Sequence, residues 1–176
     1  MRKLRTIEMN RLSVDEFKSA EKIPLVVVLD DVRSLYNVGS IFRTCDAFRI
    51  EAIYLCGITA RPPHAEIHKT ALGAEDSVEW RYFNTAVEAV NDLHAKGYLV
   101  YSIEQAEGST MLQDFKTHHP LSVVLGNEVK GVHQEVIDLS DGCIEIPQFG
   151  TKHSMNVSVT AGIVIWEIAK KKIYDL

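Results

Sequence analysis

The sequence predicts a single α/β domain with a mostly parallel sheet and helices on both of its faces. Short apolar runs alternate with segments of helical periodicity along nearly the whole chain. The run at residues 25–29 is continuously aliphatic, which is typical of a parallel strand covered on both faces. A chain of 176 residues without an internal repeat lies within the size range of one domain, so residues 1–176 are expected to form one unit.

The N-terminal extension, residues 1–22, is basic and is predicted to contain a short helix over residues 13–22. Ser13 is a candidate N-cap, and Glu16 three positions later completes the capping-box pattern. Residues 1–11 carry four Lys and Arg side chains against one acid. This local charge is compatible with a solvated tail or with a contact to RNA phosphates.

The core elements follow in order along the chain. After the strand at residues 25–29, apolar positions at helical spacing predict a helix over residues 40–48, and Asn37 and Ser40 can satisfy free backbone donors at its start. A second strand is expected at residues 52–56. The later elements are, in order, a short helix near Ile67, a strand at residues 78–83, a helix at 85–95, strands at 98–103 and 121–125, a helix at 134–139, a strand at 143–146 and a long helix at 154–172.

Composition restricts the functional class. Hydrophobic and charged contents of 46% and 24% are ordinary for a globular protein, and the apolar runs are too short to cross a bilayer, so a cytoplasmic location without membrane contact is expected. Three widely separated cysteines argue against a disulfide framework and a thiolate metal site. His64 and His68 have the spacing of a zinc helix, but Glu66 is one place too late for the general base of that motif, so no metal is expected.

Ligands bind to open parallel sheets at the carboxyl ends of the strands, and a first segment there contains Asn37 and Arg43. Arg43 lies beside the apolar stripe of its predicted helix. It is either an ordinary surface residue or an anchor for a phosphate or ribose, a task suited to a fixed fork of donors. No glycine-rich dinucleotide or nucleotide-phosphate motif is present in the sequence, which disfavours a Rossmann-type enzyme and an NTPase.

Two further strand ends carry polar residues. The strand at residues 121–125 stops at Gly126-Asn127, where a tight turn would let the backbone approach a ligand and would place Glu128 at the mouth of the sheet. After the strand at residues 143–146, Ser154 is a candidate cap of the last helix and Asn156 would occupy its first turn. Each segment alone is compatible with simple turn or capping chemistry.

Taken together and in this order, these segments resemble the three sequence motifs of SpoU-type methyltransferases in the SPOUT superfamily. The resemblance extends over nearly the whole chain from residue 24, including residues 69–74. It implies a C-terminal trefoil knot that holds S-adenosylmethionine, and a homodimer with the knot region at the interface and the active site completed across it. Such enzymes methylate a ribose 2′-hydroxyl of structured RNA, and tRNA is expected before rRNA.

The resemblance also implies roles for individual residues. The cofactor pocket would be lined by Leu125, Gly126, Ile146 and Met155. The catalytic positions would be Arg43, Glu128, Ser154 and Asn156, with Asn37 supporting them. Gln148-Phe149 departs from the usual Met-containing turn, which leaves the cofactor contacts there open.

Three questions stay open at this point. Because a guanidinium is effectively always protonated in proteins, either Arg43 or an RNA phosphate could be the group that accepts the hydroxyl proton. A base-nitrogen methyltransferase of the same fold is one alternative function. A non-catalytic RNA-binding protein is the other, although the presence of Arg43, Glu128 and Asn156 argues against it.

Overall fold

The computed structural model of the chain describes residues 1–174 and contains one seven-stranded sheet. The strands are β1 (Ile23–Asp30), β2 (Ile50–Cys56), β3 (Glu79–Phe83), β4 (Leu99–Ile103), β5 (Thr110–Met111), β6 (Leu121–Leu125) and β7 (Gly142–Glu145). They lie in the order β3-β2-β1-β6-β4-β7-β5, and each neighbouring pair is parallel. The parallel sheet expected from the sequence is confirmed.

Helices cover both faces of this sheet, as predicted. They are α1 (Val14–Ser19), α2 (Leu35–Ala47), α3 (Ala65–Ala71), α4 (Ala74–Ser77), α5 (Ala86–Ala95), α6 (Gln134–Leu139) and α7 (Val157–Tyr174), and a 3-10 turn at Thr6–Met9 precedes them. Side chains from α1 to α4 and α7 share one apolar cluster, whereas α5 and α6 belong to the other. Alternate residues of β1 enter the two clusters, which explains its continuous aliphatic sequence.

The N-terminal capping box is confirmed. The Ser13 hydroxyl accepts a hydrogen bond from the Glu16 amide at 3.3 Å, and the Glu16 carboxylate accepts one from the Ser13 amide at 2.7 Å. Helix α1 is shorter than predicted and ends at Ser19, with Phe17 as its buried residue. Across residues 1–174, each helix is either too short or too polar to span a bilayer.

The predicted start of the second helix at Ser40 is wrong. Helix α2 begins at Leu35, and the Ser34 hydroxyl caps it by accepting the Asn37 amide at 3.3 Å. A buried Asn and a Gly in the first turns resemble a loop in the sequence, because both are poor helix formers. In the fold, Gly39 lets α3 approach α2, since a Cβ there would overlap Thr70 and the Ile67 carbonyl.

The predicted start of the last helix at Ser154 is also wrong. Helix α7 begins at Val157, and the side-chain oxygen of Asn156 accepts the amides of Ser158 at 2.9 Å and Val159 at 3.3 Å. Asn156 is therefore the cap of α7 and not a member of its first turn, in agreement with the preference of Asn for cap positions over helix interiors. Strand β5 and helix α4, of two and four residues, have no counterpart in the prediction because such short elements leave no periodic pattern.

A buried carboxylate at the end of β1 holds the start of α6. Asp30, with 3% of its surface exposed, accepts hydrogen bonds from the His133 amide at 2.9 Å and lies 2.9 Å from His133 Nδ1. Asp31 lies 3.7 Å from the other ring nitrogen. The Asp30 carboxylate raises the pKa of His133 above its ordinary value, so the protonated imidazole is favoured in the folded protein.

We expect this pair to make stability depend on pH in one direction. Because folding raises the His133 pKa, the pair's contribution is fully present below the unfolded pKa of about 6.5 and is lost as pH rises through the folded pKa. His133→Gln should therefore lose most stability, relative to wild type, near pH 6. Urea unfolding of both proteins between about pH 6 and 9 checks this. A difference in unfolding free energy that is constant over that range would contradict the assignment.

Candidate active site

A cavity of about 820 Å³ opens at the carboxyl ends of the strands in the middle of the sheet. It lies among residues that follow β4, β6 and β7 and residues at the start of α7. Its volume is typical of sites for small molecules. Six of the residues singled out from the sequence line it, namely Leu125, Gly126, Glu128, Ile146, Ser154 and Met155.

The loop after β6, residues 126–132, forms one wall of the cavity and is closely folded on itself. A Cβ at Gly126 would overlap the backbone of Gly131 and Val132, so the chain can pass here only without a side chain. Asn127 and Gly131 exchange two backbone hydrogen bonds, of 2.9 and 3.1 Å. This loop therefore presents backbone groups to the cavity at fixed positions.

The side chain of Asn127 anchors that loop, a role the sequence analysis did not assign. Its oxygen accepts the amides of Val129 at 2.9 Å and Lys130 at 3.1 Å, and its nitrogen donates to the Asp31 carbonyl at 2.8 Å. Asn is prone to such turns, so the Gly-Asn pair was a local signal. The long-range bond to Asp31, the residue after β1, could not be predicted from the sequence.

Glu128 connects the same loop to the start of α2. Its carboxylate accepts the amides of Arg33 and Ser34, both at 2.9 Å, and the side-chain amide of Asn37 at 3.0 Å. Desolvation opposes its charge, but these three donors outweigh that effect and hold the pKa of Glu128 below its ordinary value. The carboxylate is thus kept ionised and can orient Asn37.

Asn37 joins Glu128 to Asn156 through its side-chain amide. Because the Asn156 oxygen is occupied in capping α7, its nitrogen is the group that points away and donates to the Asn37 oxygen at 3.1 Å. The Asn37 nitrogen is then left to donate to Glu128. Three of the five predicted catalytic residues therefore form one hydrogen-bonded chain whose direction is fixed at both ends.

Arg43 lies apart from this chain of hydrogen bonds. It is exposed on α2 and lines a separate depression of about 480 Å³ together with Phe48, Lys69 and Thr70. The Phe48 ring contacts Trp166 of α7, with 5.7 Å between ring centroids. Within one subunit, the structure brings Asn37, Glu128 and Asn156 together and places Arg43 on a different surface.

The segment after β4 forms another wall of the cavity, although the sequence analysis assigned it no function. Glu104 and Gln105 both line the cavity, and the Gln105 side chain donates to the His153 carbonyl at 2.6 Å. This bond links the segment to the loop that precedes α7. The rule that ligands bind at strand ends also applies to β4, so its position in the sequence was the available signal.

The two histidines with zinc-like spacing are engaged in separate contacts. The His64 ring caps α3 by accepting the Glu66 amide at 3.1 Å. His68 lies 2.5 Å from the carboxylate of Glu75 in α4. Each imidazole thus has a structural contact of its own.

Comparisons with known proteins agree with the arrangement of these motifs. A sequence model of the SpoU rRNA Methylase family matches residues 24–166. The chain is 29% identical over 166 residues to the tRNA (guanosine(18)-2′-O)-methyltransferase of Thermus thermophilus, which covers 94% of this chain and 84% of that protein. It is 28% identical to the 23S rRNA (guanosine-2′-O-)-methyltransferase RlmB of Vibrio parahaemolyticus, over 94% of this chain and 67% of that protein.

Solved structures show the same fold. The TrmH/SpoU tRNA modifying enzyme of Aquifex aeolicus matches with a TM-score of 0.79 and 26% identity, over 90% of this chain and 80% of that one. An AdoMet-bound rRNA methyltransferase from Sinorhizobium meliloti matches with a TM-score of 0.79 and 28% identity, over 91% and 61% of the two chains. The family match covers most of the chain, including all three strand-end segments. This protein is therefore a member of the SpoU rRNA methylase family.

Proposed function

We propose that this protein transfers a methyl group from S-adenosylmethionine to a ribose 2′-hydroxyl of RNA. The observation that carries the proposal is the hydrogen-bonded chain Glu128–Asn37–Asn156 beside a cavity of suitable size. Relatives named as tRNA and rRNA 2′-O-methyltransferases support it.

The residues present fit the proposed cofactor. Apolar side chains of Leu125, Ile146 and Met155 line the cavity together with the carboxylate of Glu104 and the fixed backbone at Gly126, a combination suited to a nucleoside that carries a positive charge. When bound, S-adenosylmethionine supplies a strongly electrophilic methyl group. The chain's own task is then to position the ribose hydroxyl and to assist the loss of its proton.

Gly126→Ala should weaken cofactor binding more than it destabilises the fold. A Cβ at this position would overlap the backbone of Gly131 and Val132, so the loop must shift. Overpacking of this kind costs about 1–3 kcal/mol, and we expect a roughly ten- to hundredfold weaker affinity for S-adenosylmethionine in calorimetry. Gly150→Ala is the matched control, because nothing lies within 4 Å of a Cβ there. Equal affinities for the two variants would argue against this wall as the binding surface.

We assign Arg43 to the RNA side of the reaction. Its guanidinium stays protonated, so it is suited to hold a ribose and its neighbouring phosphate and to stabilise the developing negative charge on the hydroxyl oxygen. The proton would then pass to that phosphate. Glu128, Asn37 and Asn156 fix the backbone around the cavity, and Ser154 lies in its wall.

The proposal includes a homodimer that joins Arg43 of one subunit to the cavity of the other. Helix α7 is apolar on its buried face and also carries an exposed apolar stripe formed by Val159, Ile163, Trp166 and Ile173. A helix that is apolar on both faces is normally covered. Because Trp166 contacts Phe48 in the Arg43 depression, a second copy seated on the stripe would lie against Arg43. Light scattering should give about twice the subunit mass of 19.8 kDa.

We further propose that the C-terminal part is knotted, as the family resemblance implies.

The substrate we propose first is tRNA, with rRNA as the second candidate. The start of the N-terminal extension is a candidate RNA contact, although Arg2 and Arg5 both pair with Glu8, which leaves Lys3 and Arg11 as the other Lys and Arg side chains of residues 1–11. The proposal keeps the cytoplasmic location expected from the sequence.

Transfer of labelled methyl from S-adenosylmethionine into purified tRNA and rRNA tests the function. We expect the label in RNA, in nucleosides methylated on the ribose, which protect the adjoining phosphodiester from alkali. Label on a base nitrogen would favour the alternative reaction. Cofactor and RNA binding without any transfer would favour a non-catalytic protein.

A further inference from the structure

The acidic side chain that follows β4 lies outside the hydrogen-bonded chain of Glu128, Asn37 and Asn156. Glu104 is half-buried and lines the cavity. Its two oxygens accept the amides of Gln105 at 2.9 Å and Val132 at 3.2 Å. The carboxylate is thus held against the far end of the loop at residues 126–132, at a fixed position in the cavity wall.

Gly131 makes room for this carboxylate. A Cβ at Gly131 would overlap a Glu104 oxygen, and the positive φ of 71° already disfavours any other residue there. Glycine at this position therefore leaves space for a carboxylate beside the cavity.

The other charged groups of the cavity leave Glu104 as the best-placed negative charge. Glu128 is directed toward the amides of Arg33 and Ser34 before α2, and the Glu145 carboxylate accepts the Ser109 hydroxyl at 2.6 Å. Glu107 and Lys130 are exposed, so solvent screens both of them more strongly. The residues that line the cavity include more carboxylates than lysines, so the cavity wall has a net negative charge.

We infer that Glu104 makes the cavity prefer the positively charged methyl donor over its neutral product, an inference that depends on the proposed function. During methyl transfer, the bond between the methyl carbon and the ribose oxygen forms as the bond between that carbon and sulfur breaks. The electron pair of the broken bond stays on sulfur, so the sulfonium becomes an uncharged thioether. S-adenosylmethionine thus carries one more positive charge than S-adenosylhomocysteine. A fixed carboxylate in the wall favours the first ligand and promotes release of the second.

Calorimetric titration of both ligands into the full-length protein tests this inference. Glu104→Gln keeps the shape and one acceptor oxygen but removes the charge. We expect it to weaken S-adenosylmethionine binding by about tenfold, the order of effect of one unit charge in a partly solvated pocket, and to change S-adenosylhomocysteine binding less than about twofold. The preference of the wild type should also fall as salt is added. Glu135→Gln on the exposed side of α6 is the control for loss of one negative charge.

The outcomes separate this inference from the proposed function. Equal losses for the two ligands would show that Glu104 only positions the loop, and an unchanged ratio with unchanged affinities would show that its charge has no effect. Either result overturns the inference and leaves the cofactor assignment intact. A wild-type protein that binds neither ligand would overturn both.

Discussion

Arg43→Ala is expected to reduce methyl transfer by about 100-fold or more while leaving affinity for S-adenosylmethionine unchanged. Removing one donor that stabilises developing negative charge costs on the order of 10²–10³ in rate. Cofactor binding should persist because Arg43 lines a depression of its own, with Lys69 and Thr70, away from the cavity walls. Single-turnover transfer to RNA and calorimetry of the cofactor measure the two quantities separately.

The control for this variant is Arg81→Ala, which removes an exposed guanidinium from β3 at the edge of the sheet. It should retain transfer close to the wild-type rate. Near-normal transfer by Arg43→Ala would remove Arg43 from the mechanism. A parallel loss of cofactor affinity would instead place its role in the fold of α2.

Asn37→Asp should have the second largest effect, with a loss of transfer of roughly 100-fold at neutral pH. The substitution replaces the donor that Glu128 accepts at 3.0 Å by a second carboxylate. Two carboxylates at that distance repel each other, so the pKa of one of the two carboxyl groups must rise. The Asn156 amide can still donate to the new oxygen, so the disturbance is confined to the Glu128 side.

The sign of the pH response distinguishes this mechanism from simple unfolding. Since protonation of one carboxyl restores a donor between positions 37 and 128, the variant's rate relative to wild type should rise as pH falls from about 8 to 6. Asn91→Asp on the exposed side of α5 provides the charge control and should show a flat ratio. A ratio that stays constant for Asn37→Asp as well would contradict a direct contact with an ionised Glu128.

The parts of the fold that depend on local pattern could be predicted from the sequence. The continuous aliphatic run of β1 indicated a strand buried on both faces, and the Ser13 capping box was visible because its partners are three residues apart. The starts of α2 and α7 could not be predicted. Asn37 and Asn156 lie there because their side chains meet each other across 119 positions of sequence, a contact that no local propensity encodes.

In the candidate site too, residues with a local sequence signal could be predicted, whereas residues that act through long-range contacts could not. Gly126 and Glu128 were recognisable at a strand end, and the order of the motifs gave the family. Asn127 and Glu104 were missed because their roles depend on bonds to Asp31 and Val132, which belong to other strand ends. The separation of Arg43 from the cavity also depends on the tertiary structure and could not be predicted from the sequence. Because of this separation, the proposed site needs Arg43 from a second subunit.

Mixed dimers test that central claim most directly. One subunit would carry Arg43→Ala with an intact cavity, and the other would carry Gly126→Ala with an intact Arg43. If the complete site joins Arg43 of one subunit to the cavity of its partner, the mixed dimer contains one working site and should recover about half the wild-type rate, although each variant alone is strongly impaired. Transfer by the mixture no higher than that of the separate variants would contradict the account.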